Sequence, residues 1–173
     1  RLIANAVDEK GRGDVPNHSC FYMEAARGYG KTYMFNTINF YLRRNNCNVC
    51  IGACTGIAST ILSGGKTIHS LFTLPVTVKE ASVCNIEATS ENTNHLRNLD
   101  LIILDEDSII PSFALHAIDN ALLGITGIAA VFGGKVILSG EDFRRVVPMF
   151  PRGTREEIIE VCIKNSPLWV NFI

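Results

Sequence analysis

The stretch that decides the fold lies at residues 20–32 and reads CFYMEAARGYGKT. An apolar run at 20–23 is followed by Gly28 and Gly30, and a helical pattern continues to Arg44. A strand, a tight glycine turn and a helix form the context in which backbone N–H groups hold phosphate. The stretch therefore predicts a phosphate-binding loop on an α/β sheet. The alternative is that the glycines only mark a strand-to-helix turn.

The loop supplies the predicted nucleotide-binding residues, which are Gly28, Tyr29, Gly30, Lys31 and Thr32. In such a loop the Lys31 ammonium would reach the β- and γ-phosphates of ATP, and the Thr32 hydroxyl would hold Mg²⁺. The pattern G-x-x-x-x-G-K-[ST] has a glycine where this chain has Ala25. If position 25 requires a positive φ, alanine costs about 1 kcal/mol or more there.

An acidic motif, LIILDE at residues 101–106, follows a second apolar run. We expect Asp105 to bind Mg²⁺, through water, opposite the loop threonine. Glu106 would orient or deprotonate the attacking water, so it is predicted to be the catalytic base. The alternative is a solvated acidic turn, since Asp107 and Ser108 continue the polar run.

A third motif, SGEDFRR at residues 139–145, ends in Arg145. A loop that follows a strand and carries Asp and Arg could sense the γ-phosphate or link the ATP site to a second ligand. A salt-bridged surface turn explains the same residues equally well.

The composition indicates one globular domain over residues 1–173. The chain is 47% hydrophobic and 19% charged, which excludes a disordered chain. Its net charge of −1 provides no general basic field for nucleic acid, so any DNA contact must be local. No apolar stretch reaches the roughly 18 residues of a membrane span, and we expect no membrane partner.

Six cysteines fall at positions 20, 47, 50, 54, 84 and 162. The spacing of Cys47, Cys50 and Cys54 is compatible with zinc, but the segment also reads as a buried strand, and no clustered fourth ligand follows. Buried free thiols in a reducing compartment are therefore the preferred interpretation.

Apolar runs alternate with helical patterns along the chain. Strands are predicted at 20–23, 48–54, 99–104 and 135–139, and helices at 2–9, 32–44, 55–62, 92–98, 112–123 and 154–164. Such alternation predicts a parallel sheet with helices on both faces, and ligands of such sheets bind at the carboxyl ends of the strands. We expect the motifs to converge on that edge.

The ordered motifs resemble the Pif1-like superfamily 1 DNA helicases, especially the eukaryotic copies associated with Helitron transposons. The similarity covers the whole chain and rests on five segments, which are GYGKT at 28–32, TGIA at 55–58, GGKTIHS at 64–70, LDE at 104–106 and FGGKV running into GEDFR at 132–144. It implies a RecA-like P-loop NTPase domain that hydrolyses ATP with Mg²⁺ and translocates 5′ to 3′ on single-stranded DNA.

The resemblance also implies roles for particular residues. Lys31 and Thr32 carry over as phosphate and Mg²⁺ ligands, Asp105 as a metal ligand and Glu106 as the catalytic base. Arg145 stands where the family has its γ-phosphate-sensing glutamine. The residues that fall where the family contacts DNA are Thr55, Gly56, Thr67, His69 and Phe72.

The resemblance implies a second RecA-like domain that supplies an arginine finger and that lies outside the 173 residues. A finger is worth roughly 10³–10⁵ in rate, so we expect these residues alone to bind nucleotide weakly and to hydrolyse it slowly. The family further suggests a nuclear location and roles in DNA repair, recombination or telomere maintenance. Two alternatives stay open, an impaired transposon-derived remnant that only binds nucleotide or DNA, and a small-molecule P-loop kinase.

Overall fold

The computed structural model describes residues 1–14, 16–26, 28–141, 148 and 153–173. In those residues the chain forms an α/β domain. Its strands are β1 (Cys20–Glu24), β2 (Val49–Ala53), β3 (Lys66–Thr67), β4 (Leu101–Asp105) and β5 (Val136–Glu141). Its α-helices are α1 (Leu2–Gly11), α2 (Lys31–Arg44), α3 (Gly56–Ile61), α4 (Ile68–Phe72), α5 (Glu91–Arg97), α6 (Ser112–Thr126) and α7 (Arg155–Glu160).

The described strands form one parallel sheet in the order β1-β5-β4-β2-β3. The register pairs Ala53 of β2 with Asp105 of β4, and Asp105 in turn with Gly140 of β5. The predicted parallel sheet is therefore confirmed, and the ends of β2, β4 and β5 meet at one edge. The sequence did not predict β3, because its two polar residues have no apolar pattern to detect.

Helices cover both faces of the sheet, and alternate strand residues face opposite ways. On one face, Leu101 and Ile103 pack with buried residues of α1, α2 and α3. On the other face, Ile102 and Leu104 pack with α4, α5 and α6. Since successive side chains of a strand point to opposite sides, a strand that is apolar throughout must be covered twice.

The C-terminal region differs from the predicted helix at 154–164. Thr154 begins α7 with a capping box to Glu157, but α7 ends at Glu160 and short 3₁₀ helices follow at Ile163–Asn165 and Pro167–Asn171. The Ser112 N–H donates to the Val161 carbonyl, 2.7 Å away, which ties the end of α7 to the start of α6. The helix α7 therefore ends earlier than predicted, at a point where a tertiary hydrogen bond is made that the local sequence pattern does not encode.

Aromatic side chains attach the last residues to the edge of the sheet. Trp169 lies edge-on to Tyr22 of β1 at 4.8 Å between ring centroids, and it stacks on Phe172 at 5.4 Å. Phe172 also forms a parallel bridge with Cys20, on the edge of β1 that β5 does not occupy. No helix within the described ranges combines the length and the apolar character needed to cross a membrane.

Candidate ATP-binding site at the carboxyl edge of the sheet

The loop between β1 and α2 has two residues with left-handed backbone, and both are glycine. Gly28 has a φ of 86° and Gly30 a φ of 81°, values that a side chain disfavours. Ala25 is not among the non-glycine residues of positive φ found in the described part of the chain. The backbone penalty considered for Ala25 therefore does not arise in this conformation.

The N-terminus of α2 has no side-chain cap among the described residues, and the same is true of α1 and α6. Side-chain oxygens of Thr55, Thr67, Ser90 and Thr154 accept hydrogen bonds from the first turns of α3, α4, α5 and α7. In contrast, α2 begins after Gly30, and within the described residues no side chain caps it. Its first-turn N–H groups and the positive end of its dipole are thus directed at the loop, as phosphate binding requires.

Lys31 connects the loop to both neighbouring strands of the sheet. Its Nζ lies 2.9 Å from Oδ1 of Asp105 at the end of β4, and it donates to the Gly140 carbonyl on β5 at 3.1 Å. Asp105 is buried, whereas Lys31 retains 16% of its side-chain exposure. The structure thus brings Lys31 and Asp105, which are 74 positions apart in the sequence, side by side. Residues that bind the phosphates and the cation of one Mg²⁺–nucleotide must lie close together in this way.

Gly140 lies in the third motif, but its contacts within the site were not predicted from the sequence. Its carbonyl accepts from Lys31 and also from the Glu106 N–H at 3.2 Å. A Cβ at this position would lie 2.3 Å from Cζ of Phe35, a fully buried ring on α2. The close approach of the Phe35 ring to the backbone explains why position 140 is glycine. In the sequence, the signal for this site residue was a glycine followed by acidic residues directly after an apolar strand.

Glu106 has a left-handed backbone, with a φ of 57° and a ψ of 31°. Its N–H donates to the Gly140 carbonyl and to Oδ1 of Asp105, the latter at 3.1 Å. Its carboxylate accepts a hydrogen bond from the Thr55 hydroxyl at 3.2 Å. The predicted base is thus fixed by its backbone at the carboxyl edge, while its side chain contacts the loop after β2.

Asp107 and Ser108 do not form the solvated turn considered as an alternative. Asp107 is 1% exposed and Ser108 is fully buried. The Ser139 hydroxyl donates to Oδ2 of Asp107 at 2.6 Å, which joins the residues after β4 to β5 beneath the site. A charge-assisted hydrogen bond of this kind holds the two strand ends together.

The predicted DNA-contacting residues do not all lie at the surface. Gly56 is exposed, and Thr55, Thr67 and His69 are half-buried. Phe72, however, is 0% exposed, so the prediction that its side chain contacts DNA is wrong for this structure. The reason is helical spacing: residues 68, 71 and 72 of α4 all face the core, as i, i+3, i+4 apolar positions do.

The remaining predictions concern metal binding and Arg145. No group of three or more potential metal-ligating His, Cys, Asp or Glu residues is found in the described ranges. Burial raises the pKa of the Cys50 thiol to about 12, which opposes the thiolate that a zinc site needs. Arg145 lies outside the described residues, and its predicted catalytic role stays a prediction.

The site combines three features of a P-loop NTPase domain. Left-handed glycines precede an uncapped helix, a lysine contacts the aspartate at the end of a strand, and a glutamate follows that aspartate. A family model for PIF1-like helicases matches residues 3–173. The chain therefore belongs to the PIF1-like helicase family.

Two curated relatives illustrate the similarity in sequence. The ATP-dependent DNA helicase PIF4 of Trypanosoma brucei brucei is 33% identical over 133 residues, covering 73% of this chain and 16% of that protein. The ATP-dependent DNA helicase Pif1 of Psychrobacter sp. is 28% identical over 134 residues, covering 76% and 20% respectively. The matched region thus spans only 16–20% of the length of these relatives.

Solved structures show the same fold. A Bacteroides Pif1 helicase in complex with ADP-AlF3 and ssDNA has a TM-score of 0.75 at 20% identity, covering 100% of this chain and 42% of that one. The Pif1 helicase from Candida albicans has a TM-score of 0.72 at 22% identity, with 99% and 37% covered. The RecA-like fold predicted from the sequence is confirmed by these likenesses.

Proposed function

We propose that the protein is an ATP-dependent DNA helicase and that these residues form its first RecA-like motor domain. The contact between Lys31 and Asp105 is the observation that carries the proposal, because it joins the phosphate loop to the acidic motif. Family membership and relatives named ATP-dependent DNA helicases support the same activity.

The chain's own residues fit Mg²⁺-ATP. The uncapped N-terminus of α2 and the Lys31 ammonium suit the phosphates, and the carboxylate of Asp105 suits the cation. Thr32, in the first turn of α2, would complete the cation site. Bound Mg²⁺ neutralises charge on the phosphates, and Glu106 would accept a proton from the attacking water.

We propose that DNA runs over the loops after β2 and β3, where Thr55, Gly56, Thr67 and His69 offer hydroxyl, amide and imidazole groups. Such groups suit contacts to a single strand that do not depend on sequence. Translocation is proposed to run 5′ to 3′, with a second RecA-like domain supplying the arginine finger. The 173 residues alone are therefore expected to hydrolyse ATP slowly.

The proposed function is tested by ATP turnover and forked-duplex unwinding by the full-length protein, with and without single-stranded DNA. We expect DNA-stimulated turnover and unwinding of substrates with a 5′ tail. Glu106→Gln, which keeps the shape of the side chain but removes the base, should retain ATP binding and lose turnover by at least 10²-fold, an order-of-magnitude expectation for general base catalysis. A wild-type protein that binds ATP without DNA-stimulated turnover would contradict the proposal.

A nuclear location, a role in DNA repair, recombination or telomere maintenance and an association with Helitron transposons are proposed on the family resemblance alone. Fluorescence microscopy of the tagged protein in its own cells tests the location. A signal confined to the cytoplasm would contradict it.

A further inference from the structure

The hydrogen bond between Thr55 and Glu106 joins two loops for which the sequence predicts different tasks. The Thr55 hydroxyl, which follows β2, donates to Oε2 of Glu106 at 3.2 Å. The predicted role of Thr55 is DNA contact, and the predicted role of Glu106 is activation of water. Because Ala53 and Asp105 are paired across β2 and β4, the register fixes the two loops side by side.

This hydrogen bond draws the Glu106 carboxylate toward one side of β4. Lys31 lies on the other side, since its Nζ contacts Asp105 and the Gly140 carbonyl of β5. The Glu106 N–H is anchored to the same Gly140 carbonyl at 3.2 Å. With the backbone anchored, rotation of the side chain decides whether the carboxylate is directed toward β2 or toward the phosphates beside Lys31.

The Thr55 hydroxyl has a single proton to donate. Its oxygen already accepts the Ala58 N–H at 3.1 Å, which caps α3, and its proton is used by Glu106. A hydroxyl can donate only one hydrogen bond at a time. A DNA phosphate that accepts this hydrogen bond therefore displaces Glu106 from the Thr55 hydroxyl, whereas the cap on α3 can remain. Gly56 and Ile57, the next residues, are exposed, so a strand of DNA can reach this point.

We propose that Thr55 is a positioning residue that restrains Glu106 toward β2 until a phosphate of single-stranded DNA accepts the hydrogen bond of its hydroxyl in place of Glu106. The inference rests on the proposed function and adds a physical link between DNA contact and ATP hydrolysis. Once released, Glu106 accepts a proton from the attacking water as the water oxygen bonds to the γ-phosphorus. The bond from that phosphorus to the β–γ bridging oxygen breaks, and ADP carries the electron pair away.

The test is ATP turnover by the full-length protein at saturating Mg²⁺-ATP, with no DNA and with saturating oligo-dT. Thr55→Val removes both the donor and the cap, and Thr55→Asp keeps an acceptor for the cap but cannot donate when ionised. We expect both variants to raise DNA-free turnover by about tenfold, the scale of a hydrogen bond to a charged group, and to lower the stimulation ratio equally. Thr55→Ser, which keeps the hydroxyl, should behave as the wild type does.

A matched control separates the restraint from helix capping. The Ser90 hydroxyl caps α5, accepting the Thr93 N–H at 3.2 Å, and nothing in the described structure connects it to Glu106. Ser90→Ala should lower thermal stability without changing the stimulation ratio. Loss of a helix cap alone is expected to lower DNA-free turnover or leave it unchanged, so an increase in the Thr55 variants that is absent from Ser90→Ala identifies the restraint.

The proposal is overturned if Thr55→Val and Thr55→Asp lower turnover with and without DNA in the same proportion, or leave the ratio at the wild-type value. Anisotropy titration of labelled oligo-dT ensures that each variant is saturated, so a change in DNA affinity cannot imitate either result. If DNA does not stimulate ATP turnover by the wild-type protein, the proposed function is overturned as well. If DNA stimulates turnover by the wild-type protein and the Thr55 variants keep the wild-type stimulation ratio, only the proposed restraint is overturned.

Discussion

The chain contains the tripeptide Gly-Lys-Thr twice, at residues 30–32 and at residues 65–67, and the two copies have different structural roles. The first begins α2, and Lys31 extends over the sheet to Asp105. The second contributes the short edge strand β3, and Lys66 is exposed there. The tripeptide alone therefore does not define a phosphate site.

The glycines of the two copies are required for different reasons. Gly30 has a φ of 81° and open space around the position of a Cβ, so its requirement is conformational. At Gly65, a Cβ would lie 2.5 Å from the Ser59 carbonyl oxygen, so its requirement is steric. The threonines differ as well. Thr67 caps α4, whereas Thr32 lies within the first turn of α2.

The largest expected difference between the copies is in ATP turnover. Lys31→Ala should lower DNA-stimulated turnover of the full-length protein by about 10²–10³-fold, because a charge that stabilises the transferring phosphate is lost. Lys66→Ala, the matched change in the second copy, should stay within about threefold of the wild type, as a surface substitution does. Steady-state kinetics with saturating oligo-dT measures both, and similar losses in the two variants would contradict the separate roles.

The glycines are expected to differ less, and in stability. Gly65→Ala should lower the free energy of unfolding by about 1–3 kcal/mol, because the added methyl group meets the Ser59 backbone. Gly30→Ala should cost about 1 kcal/mol through its positive φ. Urea unfolding of the two variants measures the difference. A larger loss for Gly30→Ala than for Gly65→Ala would mean that the steric account of Gly65 is incorrect.

The smallest expected difference is between the threonines. Thr67→Val removes the acceptor that the Ser70 N–H uses at 3.1 Å, and it should lower stability by about 1 kcal/mol. Thr32→Val should change stability by less than about 0.5 kcal/mol, since Thr32 caps no helix. It should instead raise the Mg²⁺ concentration needed for half-maximal turnover, because a ligand of the cation is lost. Thermal unfolding of both variants, beside a Mg²⁺ titration, decides between these outcomes. Equal melting temperatures would contradict the capping role of Thr67.

The sequence predicted the positions of Lys31 and Asp105 better than the exposure of the residues expected to contact DNA. Lys31 and Asp105 were predictable because each follows an apolar strand, and the carboxyl ends of parallel strands share an edge. Phe72 was mispredicted because a family position was given more weight than the helical spacing of α4. Buried Asp107 was also missed, since its local sequence is polar and its partner, Ser139, lies on another strand.

Local sequence patterns are enough to establish a parallel α/β domain with a glycine loop after one strand and an acidic end on another. Apolar strands, glycine turns and helical periods are local properties, and they can be read one segment at a time. Only the tertiary structure decided which of two identical tripeptides meets Asp105, that Gly140 is wedged against Phe35, and that Thr55 holds Glu106. The physical reason is that these contacts depend on strand order and register, which place residues distant in sequence within hydrogen-bond range of one another.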